Sequence, residues 1–347
     1  MDRARPRAHF CSIPRCARGR ARSRIAPYLL ATHPLTSPAC PAKPHSVTSF
    51  LLAHLSDAHI GPIPQFLRRE LLNKRFTGYM NWKRRAGIHN MDALAAIVAD
   101  MLAQAPDHIA MTGDVMNIGL PGEFPIAKAW LETLGDPQQV SFTPGNHDAY
   151  VRANLPWINE TFAPWCSSDG ESHTRFPYLR IRGEVALIGV SSGVPTAPLV
   201  ASGRLGLEQR EALAAMLDEA GAKGLMRVVM IHHPPTQKGA GFARGLTDAR
   251  QLEALLAHHG AELVIHGHNH RLQVKHIPRP GGAPAIACVG VASASAVPGT
   301  PLHRAAYHLY KITTIENGWR IEGRVRGMSL DNARSVHHVT DLGAIAL

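Results

Sequence analysis

Apolar runs of strand length alternate with stretches of helical period along most of this chain. The run from Ser49 to Ser56 predicts a buried strand, whereas Met91 to Ala105 repeats apolar residues every three or four positions, as an amphipathic helix does. The same patterns predict strands at 108–112, 140–143, 178–182, 185–190, 226–231, 261–265, 285–291, 307–313 and 319–325, and helices at 121–134, 207–220 and 252–258. Surface loops are expected at 155–177. These elements predict an α/β protein of one large domain or two modest ones.

The first 46 residues lack any helical or strand period. They hold nine Lys or Arg against one acid, which is +8 of the net charge of +11 and leaves the remainder nearly neutral. We therefore predict that 1–46 is a disordered extension, or the product of a start codon placed too far upstream. A cleaved signal is disfavoured because the apolar run from Ile25 to Ala31 is short and contains Pro27. The near-neutral body also argues against nucleic acid as a partner.

Five cysteines without a CxxC pair predict a reducing, cytoplasmic location, and no apolar run approaches the roughly 20 residues that cross a bilayer. The segment 62–90 nevertheless carries seven Lys or Arg against one acid, interleaved with large apolar residues such as Phe66, Phe76 and Trp82. Two interpretations of this segment remain open. It is either a solvated helix that covers the site as a lid, or a basic flap at 68–85 that grips an anionic substrate or contacts the inner membrane peripherally.

Polar side chains able to bind metals follow five of the predicted strands. The five clusters are Asp57-x-His59, Gly113-Asp114, Gly145-Asn146-His147-Asp148, His232-His233-Pro234 and Gly267-His268-x-His270. Residues two apart on a strand point to one face, so Asp57 and His59 can turn toward a single cation. Carboxylate, imidazole and amide groups together suit Mn, Fe or Zn better than Ca. Two such ions would make a nucleophile from water and neutralise phosphoryl oxygens, which phosphate-ester hydrolysis requires.

The order and content of these clusters resemble the calcineurin-like metallophosphoesterase superfamily over roughly residues 50–275, and in particular its bacterial cyclic-nucleotide phosphodiesterase branch. The resemblance implies a four-layer α/β/β/α fold, in which helices flank a sandwich of two mixed β-sheets. It implies a domain at 47–330 that includes the basic lid, followed by a C-terminal tail at 331–347. Residues after 276 are expected to complete the second sheet.

The same resemblance implies a role for each polar residue of the clusters. The first metal would be bound by Asp57, His59, Asp114 and His270, and the second by Asn146, His232 and His268, with Asp114 as the bridge. The catalytic residues would be His147, which protonates the leaving alkoxide without binding metal, and Asp148, which orients that imidazole. His233 is the alternative to His232 as a ligand.

The implied activity is hydrolysis of a small phosphodiester by a metal-bridged hydroxide, with 3',5'-cyclic nucleotides as a candidate substrate. One alternative is a UDP-diacylglucosamine-type lipid pyrophosphatase at the membrane surface. The basic segment favours it, and His147 disfavours it because those enzymes often have Arg at that place. The other alternative is a non-catalytic metal-binding scaffold, which the intact set of predicted ligands disfavours. The sequence carries no prediction of the oligomeric state or of the native metal.

Overall fold

The structure is a computed structural model that describes residues 48–85, 87–297, 304–316, 318–329 and 338–347. The predicted N-terminal extension lies outside the described residues. Twelve strands are present in this part of the chain: β1 (Ser49–Leu55), β2 (His108–Met111), β3 (Val140–Phe142), β4 (Tyr178–Arg182), β5 (Val185–Gly189), β6 (Met226–Met230), β7 (Leu263–His266), β8 (Gln273–Ile277), β9 (Ile286–Gly290), β10 (Ala306–Ile315), β11 (Gly318–Met328) and β12 (Val339–Ile345).

The helices of the described ranges connect these strands. They are α1 (Arg75–Arg84), α2 (Met91–Ala103), α3 (Glu123–Leu134), α4 (Asn154–Thr161), α5 (Ala163–Cys166), α6 (Leu207–Ala222) and α7 (Ala249–His259), with short 3-10 helices at Arg68–Leu71 and Pro280–Gly282. No helix in these ranges is long and apolar enough to span a membrane.

The strands form two six-stranded mixed sheets. The first has the order β12-β11-β10-β1-β2-β3, in which β1, β2 and β3 are parallel and β10, β11 and β12 are antiparallel additions. The second has the order β4-β5-β6-β7-β9-β8, in which β5, β6, β7 and β9 are parallel. Parallel strands need helical crossovers on the faces of a sheet, which explains the alternation seen in the sequence.

Three apolar clusters make the four layers. Leu52 of β1 packs in one cluster with Met230 and Ile265 of the second sheet, so the two sheets face each other there. Its neighbour Ala53 points the other way and packs with α2 and α3, because side chains alternate along a strand. A third cluster joins the outer face of the second sheet to α6 and α7. The predicted sandwich of two mixed sheets flanked by helices is confirmed.

The structure corrects four details of the sequence-based prediction. Residues 155–177 are not all loop, because they include most of α4 and all of α5. These helices bury Ile158 and Trp165, and Phe162 between them is buried as well. Pro156 and Pro164 made this stretch resemble a loop in the sequence, although proline is tolerated in the first turn of a helix, where both residues lie. The strand β8 was not predicted. β12 lies within the predicted C-terminal tail and pairs with β11. Finally, β10, β11 and β12 extend the first sheet and not the second.

Candidate active site

The predicted ligands meet where the carboxyl ends of five strands from both sheets converge. Asp57 and His59 follow β1, Asp114 follows β2 and Asn146 follows β3 in the first sheet, and the second sheet contributes His232 after β6 and His268 and His270 after β7. All of these residues are buried except His270, which is half-buried. Five clusters far apart in the sequence therefore form one site, because parallel strands present their carboxyl ends at the same edge.

A glycine allows two of the strand ends to approach closely. Gly113 has a φ of +95°, and a Cβ there would lie 2.6 Å from the backbone N of Gly145 and 2.7 Å from Nδ1 of His232. A larger residue would push the loops after β3 and β6 away from Asp114. The Gly-Asp pair of the sequence thus has a steric explanation.

Several predicted ligands adopt the left-handed backbone region that residues other than glycine seldom occupy. Positive φ angles occur at Asp57 (55°), His59 (42°), Asp114 (55°), His268 (70°) and His270 (53°). Neighbouring loops hold this geometry, since Asp57 N donates to Gly113 O over 2.9 Å and His59 N donates to Asp114 O over 3.0 Å. Strained residues of this kind persist where the surroundings fix them, and they concentrate at functional sites.

One group of ligand atoms is formed by Asp57, His59 and His270. Nε2 of His270 lies 3.1 Å from Oδ1 of Asp57 and 3.4 Å from Nε2 of His59. The other nitrogen of His59, Nδ1, lies 3.2 Å from the carbonyl of Met116, and it donates to that oxygen in the neutral ring. The lone pair of Nε2 is then directed at the other two ligand atoms.

A second group is formed by Asp114, His232 and His268. Nε2 of His232 lies 3.1 Å from Oδ2 of Asp114 and 3.3 Å from Nδ1 of His268, while its Nδ1 lies 2.7 Å from the carbonyl of Thr112. Burial disfavours the charged form of His232, but the Asp114 carboxylate outweighs it and raises the pKa of His232 to about 9. The site therefore favours a positive charge between these atoms.

The donor set fits two divalent cations. The ligand atoms of Asp114, His232 and His268 lie within 4.8 Å of one another, and Asp114 forms a second such group with His59 and His147. Oδ1 of Asn146 and Nε2 of His268 are buried without a hydrogen-bond partner in the described part of the chain, so a cation would satisfy them. Asp114 is therefore within reach of His59 on one side and of His232 and His268 on the other.

His147 is fixed beside these groups. Its Nδ1 donates to the carbonyl of Asn117, and its backbone N donates to Oδ1 of Asp114 over 2.7 Å. The ring is half-buried, lines the cavity above the site and lies 4.8 Å from the ring of His59. Its second nitrogen takes no part in the bond to Asn117.

The prediction that Asp148 orients the imidazole of His147 is wrong. The Asp148 carboxylate is buried and accepts four backbone N–H groups: Asp114 and Gly145 at 2.8 Å on Oδ2, and Val115 and Met116 at 3.1 Å on Oδ1. The imidazole is oriented by the carbonyl of Asn117 instead. Asp148 therefore joins the loops after β2 and β3, because a carboxylate is the side chain that accepts most N–H groups.

The alternative ligand His233 is engaged elsewhere. Its Nδ1 lies 2.8 Å from Oγ of Ser192 and its Nε2 lies 3.1 Å from the carbonyl of Ala201. Both ring nitrogens therefore have partners, whereas Nε2 of His232 faces Asp114. The geometry favours His232 over His233 as the metal ligand.

Three further residues around the site lie outside the predicted set of ligands and catalytic residues, and one of them, Lys74, belongs to the basic segment 68–85. His89 lies with its ring 4.5 Å from that of His59, and its Nδ1 is 2.8 Å from Oγ of Ser295. Its ligand nitrogen forms a group with those of His59 and His270. Burial, followed by the nearby His270 and Arg85, lowers the pKa of His89 to about 3. His89 precedes a helix and follows no strand, so the strand-end pattern carries no signal for it.

The other two are the cations Lys74 and Arg244, which line the same cavity of about 360 Å³. Nζ of Lys74 donates to Oγ1 of Thr196 over 2.6 Å and lies 4.6 Å from the ring centre of Tyr150. Burial lowers the pKa of Lys74 to about 8, against the opposing effect of Asp114. Arg244 donates to the carbonyl of His268 over 3.1 Å. Positive charge therefore surrounds the cavity beyond the predicted ligands.

The helix that carries Lys74 covers one side of this cavity. α1 contributes Thr77, Gly78 and Trp82 to the lining, so it forms one wall of the cavity. It is anchored by Arg75, whose buried guanidinium donates to the carbonyl of Ile118 over 3.3 Å and to Oδ1 of Asn154 over 2.8 Å. The basic residues of the segment consequently have different environments, and Arg75 is a structural cation.

The sequence profile of the calcineurin-like phosphoesterase family matches residues 50–272, which include every residue of the two ligand groups. The chain belongs to the calcineurin-like phosphoesterase family. As a member it is a metal-dependent phosphoric ester hydrolase. The family binds two divalent metals, and the His and Asp groups described above could hold them.

Two curated relatives match most of this domain. One is the "Probable cyclic nucleotide phosphodiesterase" of Synechococcus sp., which is 29% identical over 56% of this chain and 70% of that protein. The other is the glycerophosphodiester phosphodiesterase GpdQ of Enterobacter lignolyticus, which is 27% identical over 64% of this chain and 71% of that protein.

A solved structure shows the same fold. Purple acid phosphatase PPD1 from yellow lupin seeds aligns with a TM-score of 0.51 and 12% identity, covering 85% of this chain and 53% of that chain. The shared feature is the two-sheet sandwich with flanking helices.

Proposed function

We propose that this protein hydrolyses phosphodiester bonds at a site that holds two divalent cations. The observation that carries the proposal is the convergence of Asp57, His59, Asp114, His232 and His268 on one site. Beside them, Oδ1 of Asn146 and Nε2 of His268 are buried without a hydrogen-bond partner among the described residues. Bound there, the two cations would neutralise charge on the phosphoryl oxygens and lower the pKa of a coordinated water. Mixed carboxylate, imidazole and amide donors support Mn, Fe or Zn as the ions.

The residues of the chain itself would bind the substrate and move one proton. Lys74 and Arg244 would attract the anionic diester into the cavity, since both lie on its wall. His147 would donate a proton to the leaving alkoxide from the nitrogen that Asn117 does not engage. Tyr150, beneath Lys74, would keep that ammonium from swinging away, as a cation held over an aromatic face is stabilised.

Two classes of diester have support as substrates. Small soluble diesters such as 3',5'-cyclic nucleotides are supported by the similarity to a protein named for that activity. Lipid-linked diesters, including a UDP-diacylglucosamine type, are supported by the basic lid at the mouth of the cavity. A panel of bis-p-nitrophenyl phosphate, p-nitrophenyl phosphate, cyclic AMP and a diacylglucosamine nucleotide, each with added Mn, separates these classes by relative turnover.

The test of the two-cation site is Asp114→Ala. Removing the shared carboxylate should abolish turnover of bis-p-nitrophenyl phosphate and lower the metal content of the purified protein at the same time. Asp218→Ala is the matched control, because Asp218 is an exposed carboxylate on α6. Circular dichroism shows whether the variant is folded. Near-normal turnover in a folded Asp114→Ala protein would refute the two-cation assignment, and a metal-loaded protein without turnover on any diester would support the scaffold alternative.

A further inference from the structure

The lid helix has two faces with opposite character. One face lines the cavity with Lys74, Gly78 and Trp82. Around the helix from it, Phe76 and Met80 are 56% and 41% exposed, and Leu72, in the turn just before α1, is 83% exposed. Side chains four residues apart lie on one side of a helix. An unpartnered apolar stripe therefore runs along the outside of the lid.

Two neighbouring loops add apolar side chains beside this stripe. Leu199 is 87% exposed, and Phe242 is fully exposed. The loops are joined to the lid and to each other, because Nζ of Lys74 donates to the carbonyl of Val200 over 3.0 Å and Ala201 N donates to Ala243 O over 2.9 Å. Leu199 also lines the cavity. We name the surface formed by the outer side of the lid and these two loops the mouth face.

Cations accompany the apolar side chains of the mouth face. The exposed basic residues of the lid segment are Arg68, Arg69, Lys83, Arg84 and Arg85, and the loops add Lys238 and Arg244. The one acid of the lid segment, Glu70, accepts the backbone N–H of Leu67 over 2.6 Å. Apolar side chains surrounded by Lys and Arg are typical of surfaces that insert shallowly into a bilayer rich in anionic lipid.

Charge argues against the other occupants of this surface. A second copy of the chain in a twofold contact would bring the same cations against each other. The first 46 residues of the chain carry +8 and would be repelled in the same way. Leu199 and Phe242 protrude singly from separate loops beyond the stripe, which suits a soft lipid surface better than the fitted surface of a protein.

We infer that the mouth face docks on an anionic lipid bilayer and presents the cavity to the headgroups. Together with the proposed phosphodiester hydrolysis, on which this step rests, docking implies a substrate class. The substrate is a phosphodiester or pyrophosphate diester carried by a membrane lipid. The acyl part of such a molecule stays in the bilayer while its phosphoryl group enters the cavity beside Lys74. The position of the lid at the cavity entrance makes docking and substrate entry a single event.

The experiment is flotation of the full-length protein with vesicles. Phosphatidylcholine vesicles are compared with vesicles that contain phosphatidylglycerol as well, at low and high salt. We expect flotation with the anionic vesicles and its loss at high salt. Two triple variants test the surface. We expect the membrane partition constant to fall about tenfold or more in the variant Leu72→Gln, Phe76→Gln, Met80→Gln. We expect it to fall about a hundredfold or more in the variant Arg68→Glu, Arg69→Glu, Arg84→Glu.

Matched controls lie at the opposite end of the first sheet. Ile315 is 40% exposed at the end of β10. Arg320 is exposed on β11 and pairs with Thr313, which in turn pairs with Ser49 at the start of β1. The site lies beyond the other end of β1. Ile315→Gln and Arg320→Glu should float as the unaltered protein does.

Each outcome decides one of the two proposals. Absence of flotation with anionic vesicles, or unchanged flotation of both triple variants, would overturn the docking inference. A dimer in light scattering that the Gln variant converts to a monomer would also overturn it, because a second copy would then cover the face. Turnover of bis-p-nitrophenyl phosphate without vesicles is measured on the same samples. A protein that floats but hydrolyses no diester keeps the docking inference and refutes the proposed function.

Discussion

Asp148 allows a quantitative prediction, because its role in the structure differs from a catalytic one. The change Asp148→Asn keeps the shape of the side chain but replaces one acceptor oxygen with an NH₂ donor. Each carboxylate oxygen accepts two backbone N–H groups, so either orientation of the amide leaves two buried donors without an acceptor. An unsatisfied buried donor costs about 1–3 kcal/mol, which puts the loss of unfolding free energy at about 2–6 kcal/mol.

The assay is urea unfolding followed by circular dichroism. With an m-value of roughly 3 kcal/mol per molar, the midpoint should fall by about 0.7–2 M. Asp218→Asn, an exposed carboxylate, is the control and should change the unfolding free energy by no more than about 0.5 kcal/mol. Because Asp148 also positions the backbone of Asp114, metal content should fall with stability. An unchanged midpoint with reduced turnover would refute this reasoning and restore the catalytic role.

Three further predictions concern residues that line the cavity. His147→Ala should keep both metals and lose turnover by roughly 10²–10⁴-fold, with a smaller loss for substrates whose leaving group is a good one; a loss of metal in the same variant would make His147 a ligand. The Lys74 ammonium has a pKa of about 8, so it is charged below that pH and neutral above it, and the KM for an anionic diester should rise above pH 8. Lys74→Arg should remove that rise, and a wild-type KM that is flat from pH 7 to 9.5 would exclude the role. His89→Ala should weaken binding of one metal by about 10–100-fold in a chelator competition. If the variant and the wild-type protein gave the same titration curve, His89 would have only a packing role.

The strand-end clusters were accessible from the sequence because the chemistry of a metal site constrains residue types and local spacing. A run such as Leu263 to Ile265 predicts a buried strand, and polar ligands directly after it must lie at the end of that strand. Three of these clusters begin with a glycine. The structure adds that Gly113 is required because Gly145 and His232 pack against it. These three residues follow three different strands, so the sequence near Gly113 does not show the contact.

Other features depend on contacts between segments far apart in the chain. The family resemblance implied that Asp148 orients the neighbouring His147, yet its carboxylate turns toward the loop after β2, where several N–H groups converge. His89 enters the site because residues 88–90 lie beside 295–297, where Asn90 N donates to Ser295 O and Val297 N to Ile88 O. Neither arrangement has a local pattern, since it is fixed by the packing of distant loops.

By itself the sequence determined the α/β class, most of the strands and helices, and the five polar clusters at strand ends, because these follow from periodicity and from residue chemistry within a few positions. The ligand role of each residue in those clusters came from the resemblance to a known family. Only the tertiary structure decided the partners of Asp148, the entry of His89 and Lys74 into the site, and the side of the lid that remains exposed. It also decided that β12 belongs to the first sheet. The physical reason is that hydrogen bonds and burial at these places are satisfied by groups tens or hundreds of residues away, and no local period records which groups those will be.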